Sequence, residues 1–322
     1  MKLPLALLLL ALAPILTPAQ TVDAPAHGAA TPADGPPVFR AQSELVVVHA
    51  TVRDKHGRHV SGLTEQAFRV FENGAPRPVS VFSGQHEPVT LGLILDVSGS
   101  MTRTRERLAY AASVFAGTGS PNDELFAIVV GDRPVSVLPP DAPFTSDPHV
   151  LRLAIARAHR PGGMTALYSA VAQGLDQLAK GSHPRRALVI ISDGIDNASP
   201  LTFDDTLRRA RVSNAALYAV GLADPSAVTR DPGHLRVLTR ASGGDAYFPD
   251  DNTAALESLQ RIADDIHQSY TLGFVPTNAS NTARHRLHVR ATAADGRPLT
   301  VRTRDEYYLV PAPPPTSPAG RR

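Results

Sequence analysis

The chain has 322 residues, 43% hydrophobic and 19% charged, enough to bury the core of one full α/β domain with a smaller one beside it. Its 32 basic and 30 acidic residues leave a formal net charge of +2, so no global field draws nucleic acid or an anionic membrane, and 5% aromatic content without Trp argues against a stacking platform. With no Cys, stability comes without disulfides and no lipid-modified cysteine exists.

Met1 to Ala19 reads as a secretory signal: one Lys, the apolar run LPLALLLLALAPIL, then Thr17-Pro18-Ala19 as a small-residue exit. Export to a periplasm or the cell exterior is expected, with an uncleaved anchor as the alternative. Residues 20–41, rich in Ala, Pro and Gly, read as a flexible linker. From Glu44, LVVVHATVRD reads as a strand and Asp54 to Gly57 as a turn. Phe68 to Phe71 and Val79 to Phe82 read as two strands joined around Asn73-Gly74. This β segment, 42–86, is too short to bury a robust core alone and should pair with another.

Residues 87–268 alternate strand and helix patterns. Thr90 to Leu95 carry no charge, which suits a strand buried on both faces. Leu108, Ala111, Ala112 and Phe115 then form a helical apolar stripe. Strands follow at Glu124 to Val130, Ala187 to Ser192, Ala215 to Gly221 and Ala246 to Phe248. Helices are expected at Asp147 to His159, Leu167 to Leu178, Phe203 to Ser213, His234 to Ala241 and Thr253 to His267. The alternation predicts an α/β fold with a doubly wound, mostly parallel sheet. Short basic clusters such as Arg185 with Arg186 read as solvated faces, and the acidic pairs Asp204-Asp205 and Asp250-Asp251 as helix caps.

Tyr270 to Val275, His285 to Ala293 and Leu299 to Thr303 return to β patterning, with a turn at Asp295-Gly296. Residues 42–86 and 269–310 are therefore expected to form a smaller composite β-sandwich with 87–268 inserted between its halves. His285 and His288 should point to opposite faces and read as surface residues. Residues 311–322, PAPPPTSPAGRR, read as a disordered tail.

Three stretches carry the candidate chemistry. DVSGS places Asp96, Ser98 and Ser100 in a turn after an apolar strand; GGMTALYSA places Thr165 before a helix; ISDGIDN places Asp193 after a second apolar strand. All five groups are hard oxygen donors suited to Mg²⁺, Mn²⁺ or Ca²⁺ rather than to metals that prefer His or Cys. The first triplet alone is equally an ordinary turn whose side chains bond backbone amides. Together the three motifs resemble a von Willebrand factor type A (VWA) domain with a metal-ion-dependent adhesion site. The β segments beside them resemble a bacterial family related to it.

The resemblance implies a Rossmann-like fold in which Asp96, Ser98, Ser100, Thr165 and Asp193 bind one divalent ion. It also implies that the last coordination position is left for an acidic group of a protein partner. On physical grounds, an ion held by three hydroxyls and at most two carboxylates is incompletely neutralised and favours an incoming carboxylate. Asp196 and Asn197 stand close enough in sequence to support the site or to serve as turn residues. The leading expectation is an exported binding module rather than an enzyme. A metal-dependent hydrolase or phosphatase on a small anionic substrate, and an envelope component with a stabilising metal, are the alternatives. There is no G-x-S-x-G for a serine nucleophile and no Walker A string.

Overall fold

The computed structural model describes residues 45–97, 120–158, 163–222, 232–277 and 284–309. The signal segment, the linker, the Leu108 helix, Ser98, Ser100 and the Pro-rich tail lie outside the described residues. The described residues cluster as one compact unit.

Strands β1 (Val46–Arg53), β2 (Phe68–Glu72), β3 (Ala75–Arg77) and β4 (Val81–Ser83) precede the α/β region. They join β11 (Tyr270–Phe274), β12 (His285–Thr292), β13 (Pro298–Arg302) and β14 (Glu306–Tyr307) in one antiparallel sheet of eight strands. The path is β3-β2-β12-β13-β1-β11-β4, with β14 on β12. Asn73 and Gly74 both have positive φ, 51° and 87°, as a two-residue hairpin turn requires. The strand across that turn is Ala75–Arg77; the expected Val79 to Phe82 strand is instead β4, which pairs with β11.

The second sheet has six strands in the order β10-β9-β8-β5-β6-β7: β5 (Val89–Asp96), β6 (Glu124–Val130), β7 (Pro134–Ser136), β8 (Arg185–Ser192), β9 (Ala216–Gly221) and β10 (Ala246–Tyr247). Helices α1 (Pro148–Arg157), α2 (Leu167–Leu178), α3 (Phe203–Val212), α4 (Pro232–Ser242) and α5 (Asn252–Gln268) accompany it. One core face gathers Leu91, Leu93, Leu95, Val189 and Ile262, the other Ile94, Ile128, Ile190, Leu167 and Leu235. The acidic helix starts are caps: Thr202 and Asp205 form a capping box on α3, and Asp251 accepts from Ala254 N on α5.

The expected fold class, a doubly wound mostly parallel sheet with a smaller β-sandwich, is corrected. The sheet built from the flanking segments is the larger one, and it is antiparallel and single. No second layer is needed, because the sheet curls over its own apolar face: the Phe68 ring on β2 lies 5.8 Å from Phe82 on β4, five places away along the strand path. Tyr270 lies 5.0 Å from Phe68 and completes that core. The six-stranded sheet is mixed. Only Gly131, Asp132 and Arg133 separate β6 from β7, far too few for a crossover, so β7 returns antiparallel.

Two buried charges knit the sheets together. Asp265 on α5 is fully buried and accepts from Arg53 of β1 at 2.7 Å, from His59 at 3.1 Å and from Arg302 of β13. Arg185, expected on a solvated face, is only 3% exposed. Its guanidinium donates to Gly84 O and Glu87 O on the segment leading into β5, and to His267 O and Ser269 O on the segment leaving α5. One side chain thereby ties both chain crossings between the sheets. His285 is also buried rather than on the surface, its Nδ1–H donating to Glu72 Oε1 at 3.0 Å and its ring stacked on Tyr307.

Candidate metal centre

Asp96 is the last residue of β5 and is fully buried, at the carboxyl end of a run with no other charge. β5 pairs in parallel with β8, Leu95 opposite Ile191, so the next residues, Asp96 and Ser192, end their strands side by side. Ser192 Oγ donates to Asp96 Oδ2 at 2.7 Å and accepts from Gly194 N at 3.1 Å. Gly194 has φ +88°, the left-handed turn that redirects the chain directly after Asp193. Asp193, 4% exposed, accepts from Ile195 N at 3.0 Å through Oδ1.

Thr165 is brought to the same edge by the loop that follows Asp193. Its N–H donates to Asn197 Oδ1 at 2.7 Å, and its carbonyl accepts from Asn197 N at 3.0 Å and Ala198 N at 3.2 Å. The start of α2 has no capping side chain of its own, since Ala166 occupies the cap position. Asp196 Oδ2 instead accepts from Tyr168 N at 2.8 Å, and Ser199 Oγ from Ser169 N at 2.9 Å, satisfying first-turn amides that would otherwise lack partners. Ala166 N donates to Gly131 O at 2.7 Å, which joins the end of β6 to the cluster. Asp96, Thr165 and Asp193 therefore stand at the carboxyl edge of the parallel strands, where ligands of α/β sheets gather. Ser98 and Ser100 lie outside the described residues.

The donor set fits a hard divalent ion. Two buried carboxylates and a buried hydroxyl occupy the edge, with neither imidazole nor thiol among the five candidates. Among the described residues no three His, Cys, Asp or Glu side chains cluster as a metal site, so binding here would depend on hydroxyls as well as carboxylates. Asp196 and Asn197 act by holding α2 and Thr165. Ser192 was not singled out from the sequence, although a Ser-Asp pair closing an apolar strand next to another strand-end Asp is the available signal.

Residues 91–195 match the family model of the von Willebrand factor type A domain. That stretch of the chain is therefore similar to a von Willebrand factor type A domain. Such domains usually mediate protein–protein interactions and are generally binding modules rather than enzymes. Among solved structures, the chain is similar to a von Willebrand factor type A protein from Catenulispora acidiphila at 14% identity and TM-score 0.47, covering 84% of this chain and 75% of that one. It is also similar to an aerotolerance-related membrane protein from Bacteroides fragilis at 17% identity and TM-score 0.43, covering 55% and 98%. A third, proximal thread matrix protein 1 of the mussel byssus with a zinc-occupied metal-ion-dependent adhesion site, shares 10% identity at TM-score 0.47 over 61% of this chain and 49% of that one. No curated protein matches the chain.

Proposed function

We propose that Asp96, Ser98, Ser100, Thr165 and Asp193 hold one divalent cation, Mg²⁺ with Mn²⁺ or Ca²⁺ as substitutes, and that this edge captures an Asp or Glu carboxylate of a protein partner without catalysing a reaction. The observation that carries the reading is the interlocking of strand ends and loops: Ser192 on Asp96 at 2.7 Å and Asn197 on Thr165 at 2.7 Å. Those two bonds fix Asp96 and Thr165, two of the five proposed oxygen donors, and so support the reading. The cation, when bound, supplies a positive charge that hydroxyls and two carboxylates neutralise incompletely, and so an attraction for an anionic oxygen.

Export belongs to the same proposal and rests on the composition of Met1 to Ala19. Among the described residues no helix is long and apolar enough to cross a membrane. The binding domain is taken as residues 87–268, flanked by 42–86 and 269–310. Calorimetric titration of chelated protein with Mg²⁺ tests the reading, with Asp96→Ala as comparison. One bound ion in the wild type, none in the variant and an unchanged far-UV spectrum are expected. Equal binding by both proteins would overturn the assignment.

A further inference from the structure

Between α4 and the 302–305 segment lies a cleft of about 630 Å³, whose lining includes Arg236, Arg240, Asp245, His288, Arg304 and Asp305. Four of its lining residues are arginines and two carry carboxylates, of which Asp245 is already paired with Arg302 at 2.7 Å. Arg304 is 5% exposed. Its guanidinium donates to neutral oxygens: Ser213 O at 2.9 Å, Val47 O at 2.6 Å and Asn214 Oδ1 at 3.5 Å. Its Nε has no hydrogen-bond partner among the described residues, and burial pulls its pKa down to about 10. A buried cation without a carboxylate is a costly arrangement that an anion placed nearby relieves.

The positive charge runs along the cleft and past it. Arg236 and Arg240 are exposed one helical turn apart on α4; Arg286 and Arg290 are exposed on one face of β12, with His288 between them accepting from Arg290 Nε at 3.2 Å, and Arg69 sits opposite Arg290 on β2. Among the described residues these arginines have no ion-pair partner, in contrast to Arg53, Arg77 and Arg302. Two are held by rings: Arg236 lies 4.4 Å from the Phe248 centroid and Arg290 5.2 Å from that of Phe71.

We propose that this cleft and the β12 face beside it bind an extended acidic segment of a partner protein, independently of the metal centre. Alternate residues of an extended chain repeat every ~7 Å, so carboxylates four residues apart on such a chain match the spacing of Arg286 and Arg290 along β12. A single-stranded nucleic acid fits less well, because a guanidinium group already takes one face of Phe71 and of Phe248, where a base would have to compete with it. A membrane surface is disfavoured by the concavity of the cleft.

The test is fluorescence anisotropy of a labelled poly-glutamate peptide with the full chain in excess EDTA, which removes any contribution of the metal centre. Binding that weakens with salt is expected, with a loss of about tenfold or more in the double variant Arg236→Glu/Arg240→Glu and in Arg290→Glu. Arg157→Glu, an exposed charge reversal on α1, should stay within about twofold of the wild type. Equal losses in Arg157→Glu, or no binding in EDTA, would overturn the proposal. So would tighter binding of single-stranded DNA or phosphatidylserine vesicles through the same arginines.

Discussion

Replacing Asp265 by Ala removes the carboxylate on which Arg53, His59 and Arg302 converge. Burial alone would raise the pKa of this fully buried group, but the hydrogen bond from His59 and the guanidinium groups of Arg302 and Arg53 outweigh it, lowering the pKa from 3.8 to about 2. That depression corresponds to roughly 2–3 kcal/mol at neutral pH. Breaking a buried pair from one side costs about 3–5 kcal/mol, and the lower end applies because both guanidiniums keep partial contact with solvent, 32% and 27% exposed. A loss of about 3 kcal/mol lowers the melting temperature by roughly 6–12 °C for a unit of this size.

The sign with pH follows from the direction. A depressed carboxyl pKa contributes stability that is present above the unfolded value near 3.8 and is lost as pH falls through about 2. Calorimetric melting of wild type and Asp265→Ala from pH 7 to pH 2 should show a gap at pH 7 that closes between about pH 4 and pH 2. Melting temperatures that agree within about 1 °C at pH 7 would refute the reasoning, since a cluster of this geometry could not then be joining the two sheets.

Gly244→Ala should fail to fold or lose more than about 3 kcal/mol, because a Cβ there would lie 1.8 Å from Leu217 O, a backbone atom of β9 that cannot move away; denaturant unfolding of the expressed variant checks it. Arg185→Met should cost about 2–4 kcal/mol by leaving four carbonyls without their shared donor, read from urea midpoints at constant slope. Asn197→Ala should weaken Mg²⁺ binding by about 10- to 100-fold, with little change in melting temperature of the apoprotein, because Asn197 holds Thr165 in place without itself being a proposed ligand.

The uncharged run Thr90 to Leu95 announced a fully buried central strand, and β5 is buried at every position. The stripe of Leu167 to Leu178 gave its helix at both ends. Short strands were harder to read: Ala75-Pro76-Arg77 and Pro134-Val135-Ser136 carry no alternation of their own and pair because neighbouring turns deliver them. Missing the second of these hid the mixed character of its sheet. A sandwich was expected because a small β module needs cover. The contact of Phe68 with Phe82, which replaces that cover, joins strands distant along the sheet and leaves no local pattern. Arg185 was misread for the same reason, since its four acceptors lie about a hundred residues or fewer away in chain segments that only the fold brings together. At the candidate site the motifs located Asp96, Thr165 and Asp193. The role of Ser192 depends on the register of β5 against β8.

The most direct test of the account is anomalous diffraction from crystals of the chain grown with Mn²⁺, which substitutes for Mg²⁺ at hard oxygen sites. The account predicts a single strong peak at the carboxyl edge of β5 and β8, within coordinating reach of the hydroxyls and carboxylates of Asp96, Ser98, Ser100, Thr165 and Asp193. A peak held by other residues, or none at saturating Mn²⁺, would contradict the claim that this edge is a metal centre.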